Sequence, residues 1–204
     1  VHPRTRAALM LTATFVLVAA LAIVLFGPSS NERIASGFQG FTPPDVPPRD
    51  FALKDQDGET VRLSALRGSP VALTFLYSTC EDTCPTTASV IRSALDQSGV
   101  GDDIPVLAVS VDPEGDTPLN AKRFLVERRL TGRMRFLLGT RAELRRVWKA
   151  YGIQPQGDAF DHSSRVLLID AQGRQRVSFP FSDLTTDGLA HDLRLIAADA
   201  RRSA

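Results

Sequence analysis

The chain has 204 residues, 43% hydrophobic and 23% charged, which suits one globular domain of ordinary size plus additional segments. Its 24 basic and 23 acidic residues leave a formal net charge of +1. Such a balance lacks the basic footprint of nucleic-acid binding, so no nucleic acid is expected as a partner, and two cysteines are too few for a disulfide scaffold.

The first predicted element is an apolar run, LMLTATFVLVAALAIVLF, covering the 18 residues 9–26 without a charge. As a helix it would span roughly 27 Å, close to the hydrocarbon core of a bilayer. A cleaved signal peptide and an uncleaved signal anchor both fit such a run. Its length, the poor cleavage site in FGPSSNER and the absence of a following cysteine favour the anchor. Arg4 and Arg6 precede it, so the positive-inside rule predicts a cytoplasmic tail over 1–8, a single transmembrane helix over 9–26 and the rest outside the cell membrane. Residues 27–49, rich in Gly, Ser and Pro, read as an extracytoplasmic linker, leaving 50–204 as the folded domain.

Within that domain, FALKDQDGETVRL predicts two short strands around a DQDG turn. VALTFLY at 71–77 is continuously apolar and predicts a strand buried on both faces. A helix follows, with Ala88, Ile91 and Leu95 at helical spacing and Gly99 as its stop. IPVLAVSVD at 104–112 predicts a second buried strand. Thr117 reads as the N-cap of the next helix, with Pro118 at its first position. MRFLL is a short strand, and TRAELRRVWKAYG carries a Thr140/Glu143 capping box and ends at Gly152. Trp148 and Tyr151 share a helical face with Leu144 and are expected in the core. Two strands around AQGR and a terminal amphipathic helix with Leu189, Leu193 and Ile196 on one face complete the series. Strands alternating with helices, closed by an antiparallel pair, predict an α/β domain of thioredoxin-like fold, a mixed central sheet flanked by helices.

Both cysteines, Cys80 and Cys84, lie in YSTCEDTCPTT, where a buried strand gives way to a helix. Sheets of this kind place their sites there, although two inert buried cysteines are the plainer alternative. Pro85 suits a first helical position, which would put Cys84 at or near the N-cap, where the helix dipole favours a thiolate. The i, i+4 spacing sets both sulfurs on one side, so the pair can close a disulfide or clamp a soft metal ion. Two thiolates and an imidazole suit Cu(I), and Cys2His2 zinc is possible by count alone.

Of the three histidines, His2 falls in the predicted tail. His191 sits between the apolar positions of the last helix and reads as a surface residue. His162, in AFDHSSRVLLID, stands at the mouth of a strand and could reach the cysteine end of the sheet, or be an ordinary loop histidine. Asp161, Asp82 and Asp112 are candidates to support the ligands from behind, Asp112 with turn chemistry before Pro113 as its other reading.

The combination of TFLYSTCEDTCP, LAVSVDPEGDTP and DHSSRVLLIDAQG, over about residues 50–197, resembles the Sco/SenC family of membrane-anchored copper proteins that assist cytochrome c oxidase assembly. The resemblance implies a thioredoxin-like fold and a copper ion, Cu(I) or Cu(II), held by Cys80, Cys84 and His162, with the two cysteines also able to form a disulfide. It implies a metallochaperone whose partner is the copper-bearing subunit of the oxidase or another copper chaperone. A thiol–disulfide reductase using the same cysteines, the form the chain takes if it is an enzyme, and a copper or redox sensor are the alternatives. Glu81 departs from the family pattern, which has proline after the first cysteine.

Overall fold

In a computed structural model, residues 37–44, 46–154 and 164–203 are described. The predicted transmembrane segment, His2, Asp161 and His162 lie outside the described residues. Among the described residues no helix is long and apolar enough to cross a membrane.

The hairpin forms as its sequence requires: β1 (Ala52–Asp55) and β2 (Thr60–Arg62) pair antiparallel across the DQDG turn. Gly58 takes φ +86°, a region that side chains resist. Buried Asp55 organises the turn, its Oδ1 accepting from the N–H groups of Asp57 and Glu59 while Arg135 pairs with its Oδ2 at 2.7 Å.

The centre of the sheet is β3 (Val71–Leu76), flanked by β4 (Val106–Ser110) in parallel, with β5 (Met134–Leu138) parallel to β4. β6 (Arg165–Ile169) lies antiparallel on the other side of β3, and β7 (Gln175–Pro180) antiparallel to β6. The seven-stranded order is β2-β1-β5-β4-β3-β6-β7. Every residue of β3 and β4 is buried, which explains their continuous apolar runs: both faces are covered.

One face packs on α1 (Thr83–Ser98), α2 (Pro118–Glu127) and α4 (Thr186–Ser203); Ala72 and Leu76 meet Ala88, Ile91, Phe124 and Leu193 there. The opposite face packs on α3 (Arg141–Tyr151), where Leu73 and Phe75 meet Leu144, Val147 and Trp148. Trp148 and Tyr151 are both core residues, as expected. The Thr117 cap of α2, the Thr140/Glu143 capping box of α3 and the left-handed C-cap glycines Gly99 and Gly152 are all in place.

Two local expectations are corrected. The N-cap of α1 is Asp82, not Cys84, so Cys84 is the second helical residue and Pro85 the third. Pro85 is tolerated because the first turn has no intrahelical partner for its missing N–H. His191 is not a surface residue: its side chain is 18% exposed and its Nδ1 lies 2.9 Å from Oδ1 of the fully buried Asp192.

Asp192 also accepts from the backbone N–H groups of Gln39 and Gly40, at 2.8 and 2.9 Å. Within the stretch read as linker, Phe41 and Ser178 of β7 then exchange backbone hydrogen bonds of 3.0 and 2.8 Å. A Cβ on Gly40 would meet Val177 Cγ1, so only glycine lets the chain pass so close.

Candidate metal centre

The strand β3 delivers the chain to Tyr77, and a tight turn closed by Cys80 N–H to Tyr77 C=O, 3.3 Å, leads into α1. Cys80 and Cys84 both sit in the apolar core beside Leu76 and Ala88, Cys80 7% exposed and Cys84 fully covered. No disulfide joins them. The Cys84 backbone N–H donates to the Cys80 sulfur with N···Sγ 3.4 Å, which places one sulfur over the first turn of the helix that carries the other.

The two thiols differ in kind. Burial works against a Cys80 thiolate, but hydrogen bonds from the Tyr77 hydroxyl and the N–H groups of Asp82 and Cys84 outweigh it, and the thiol falls below its usual pKa. Burial pushes the Cys84 thiol far up, with the neighbouring Cys80 sulfur adding to the effect. Tyr77 stays a phenol well above its usual range because it shares its proton with Cys80 and is partly buried. The thiolate is thus favoured at Cys80, on the groove side of the pair, and disfavoured at Cys84 in the core.

The accessible edge of Cys80 faces an open groove of about 510 Å³ lined by Ser78, Thr79, Glu81, Asn120, Arg123 and Arg128, among others. A larger concavity of about 590 Å³ lies by Leu53, Lys54 and Glu143, with no sulfur or imidazole in its wall. That wall carries Lys54, Asp55, Asp116 and Glu143, whereas the cysteine groove has a sulfur facing it.

Of the carboxylate residues expected to support the ligands, Asp82 and Asp112 are among the described residues. Asp82 is exposed; its backbone carbonyl accepts from Thr86 Oγ1 at 3.4 Å. Asp112 follows its turn reading, its Oδ1 accepting from Glu114 and Gly115 N–H at 3.3 and 3.1 Å. Glu81 is exposed at the groove. Asp161 and His162 lie outside the described residues, but Ser164, next in the described chain, stands with its Oγ 3.4 Å from Thr87 Oγ1. Thr87 is three residues beyond Cys84 on α1, a spacing that shares a helix face.

Sequence reasoning missed Asp116. Its carboxylate, in the loop after β4, accepts from both the backbone N–H and the hydroxyl of Ser78, each at 2.6 Å, and from Ser110 Oγ at 2.5 Å. Burial raises its pKa above the usual carboxylate value, against the lowering effect of Ser110 and Ser78. The motif SVDPEGDTP contains it, yet nothing local distinguishes it from Asp112.

A mixed thioredoxin-like sheet with a reduced Cys-x3-Cys pair at the mouth of its central parallel strand defines the class: a dithiol protein built to hold a soft ion or exchange a disulfide. A family model described as SCO1/SenC matches residues 42–198, and the chain belongs to that family. It is 29% identical to the SCO2-like protein of Rickettsia conorii over 136 residues, 61% of this chain and 65% of that protein, so it spans just under two thirds of that relative's length. Among solved structures it is similar to copper-bound ScoI of Bradyrhizobium japonicum, with 31% identity, TM-score 0.63 and coverage of 73% of this chain and 98% of that one. BsSco, a member of the Sco family of cytochrome c oxidase assembly proteins in which a disulfide switch has been identified, shares the fold at TM-score 0.66 and 24% identity, covering 78% of this chain and 98% of its own.

Proposed function

We propose that this chain is a membrane-anchored copper metallochaperone that binds copper through Cys80, Cys84 and His162 and delivers it during assembly of cytochrome c oxidase. Copper is its cargo. The observation that carries the reading is the Cys80–Cys84 pair, two thiols not joined by a disulfide, with the Cys84 N–H donating to the Cys80 sulfur, the Cys80 thiolate favoured and Cys80 opening on a groove. Two soft sulfurs with an imidazole form a donor set suited to copper. Among the described residues no cluster of three or more His, Cys, Asp or Glu completes a site.

In this reading Cys80 makes the first bond to the incoming ion, because its thiolate is the more favoured of the two and it faces the groove. Cys84 gives up its proton only when the metal replaces it, so binding releases a proton and weakens at low pH. The recipient is the copper-bearing subunit of the oxidase or another copper chaperone, and the membrane helix over 9–26 keeps the domain at the extracytoplasmic surface. The test is copper binding by the reduced protein, wild type against Cys80→Ser, Cys84→Ser and His162→Ala: each substitution lowers affinity in the proposed site, and unchanged affinity in any of them removes that residue from it.

The asymmetry of the thiols also favours a second reading, a thiol–disulfide reductase. The Cys80 thiolate would attack a partner disulfide and form a mixed disulfide. Cys84, deprotonated in the step, would then displace the partner's second thiolate, so two electrons pass to the partner and the Cys80–Cys84 disulfide remains. This reading needs no His162, so reductase activity intact in His162→Ala with copper delivery lost would set it aside.

A further inference from the structure

We infer that Asp116 is the positioning residue of the dithiol site: it fixes the turn that presents Cys80, and with it the register of Cys80 against Cys84 and the groove. The inference rests on the reading of Cys80 and Cys84 as the working pair, and it deepens that reading.

A run of hydrogen bonds leads from the sheet core to the sulfur. It starts at Ser110, fully buried at the end of β4, whose carbonyl accepts from the Trp148 indole at 2.9 Å. Ser110 Oγ donates to Asp116 Oδ2, and Asp116 Oδ1 takes both donors of Ser78. Ser78 lies inside the turn closed by Cys80 N–H on Tyr77, and the Cys80 sulfur then accepts from Cys84 N–H. Asp116 is 7% exposed, and its bond to Ser110 is buried while those to Ser78 are part-buried at the groove. A carboxylate is the side chain that accepts from three donors at once without offering a proton. In an amide the nitrogen would face the Ser110 hydroxyl, which must then reverse from donor to acceptor. The same loop sets the opposite wall of the groove: Asn120 Nδ2 donates to Gly115 C=O at 2.9 Å, and Asn120 and Arg123 of α2 line the groove that Cys80 faces. Asp116 thus ties together two segments 38 residues apart that meet around the reactive sulfur.

The test is a glutathione redox titration of the full chain without metal, in wild type, Asp116→Asn, Asp116→Ala and Ser78→Ala, beside thermal unfolding of each reduced protein. The equilibrium constant for forming the Cys80–Cys84 disulfide, with oxidised glutathione as acceptor and two reduced glutathiones released, measures how well the two sulfurs are held together. Loss of one net hydrogen bond from the positioning network corresponds to about a fivefold change. Asp116→Ala is expected to lower the constant about fivefold or more, with Asp116→Asn and Ser78→Ala lowering it less. Val61→Ala, which removes core packing on the edge strand β2 and takes no part in these hydrogen bonds, is expected to lower the Tm with the constant unchanged. A constant unaltered or raised in both Asp116 variants, whatever their Tm, overturns the inference. No copper enters the titration, so a wild type that binds no copper would remove the metal reading and leave this result standing.

Discussion

The backbone N–H of Cys84 points at the sulfur of Cys80 from 3.4 Å, so the second residue of α1 donates to a residue in the turn that leads into the helix. Burial weighs against charge on both thiols, but on Cys80 the hydrogen bonds from the Tyr77 hydroxyl and from the N–H groups of Asp82 and Cys84 outweigh it, while Cys84 is sealed in the core.

The first prediction follows from that inequality. In the reduced protein near neutral pH, iodoacetamide should label Cys80 and leave Cys84 unmodified, as read by peptide mass spectrometry. Labelling of Cys80 should persist to lower pH than for an ordinary thiol of pKa about 8.5, because its thiolate is stabilised. Equal labelling of the two would contradict the asymmetry.

The sign of the pH dependence of stability differs for the two thiols. Cys80 is lowered on folding, so its contribution is present above the unfolded thiol value of about 8.5 and is lost as pH falls through its own lower value. Cys84 is raised, so its contribution is present below about 8.5 and is lost as pH climbs above it. The reduced metal-free protein should therefore lose stability to urea between about pH 8.5 and 10.5, and Cys84→Ala should flatten that loss.

Glu81 is exposed beside the site, where water and salt screen its charge. Glu81→Gln should change copper affinity by less than about tenfold, well short of the effect of removing a sulfur ligand, since exposed charge pairs contribute about 1 kcal/mol or less. A competition titration against a copper chelator at low and high salt reads it, and a hundredfold change would make Glu81 a ligand-level residue.

The clamp around residue 192 predicts a stability effect far from the cysteines. Asp192→Ala strands the N–H groups of Gln39 and Gly40 and should cost about 2–4 kcal/mol in urea unfolding. Gly40→Ala forces its new methyl against Val177 and Phe179 and should cost about 1–3 kcal/mol, with copper binding intact in both.

What the sequence made legible was local. The continuous apolar run of β3, the Thr117–Pro118 start of α2 and the Thr140/Glu143 box are each written within a few residues, and each formed as read. The Cys-x3-Cys pair at the end of β3 was legible for the same reason. Asp116 was not, because what sets it apart is Ser78, 38 residues away, and nothing within either residue's own motif pairs the two. His191 was misread because the amphipathic pattern of α4 does not show its partner: Nδ1 lies 2.9 Å from Oδ1 of Asp192, a buried carboxylate that also holds Gln39 and Gly40, roughly 150 residues earlier in the chain. The N-cap of α1 slipped by two residues because proline is accepted anywhere in a first turn.

The central claim is a copper site made by Cys80, Cys84 and His162, and X-ray absorption at the copper edge of the reduced, copper-loaded full chain tests it most directly. The account predicts two sulfur ligands and one imidazole nitrogen in the wild type, with the imidazole signal absent in His162→Ala and the two sulfurs retained. An imidazole signal unchanged in His162→Ala, or a wild-type site without both sulfurs, would contradict it.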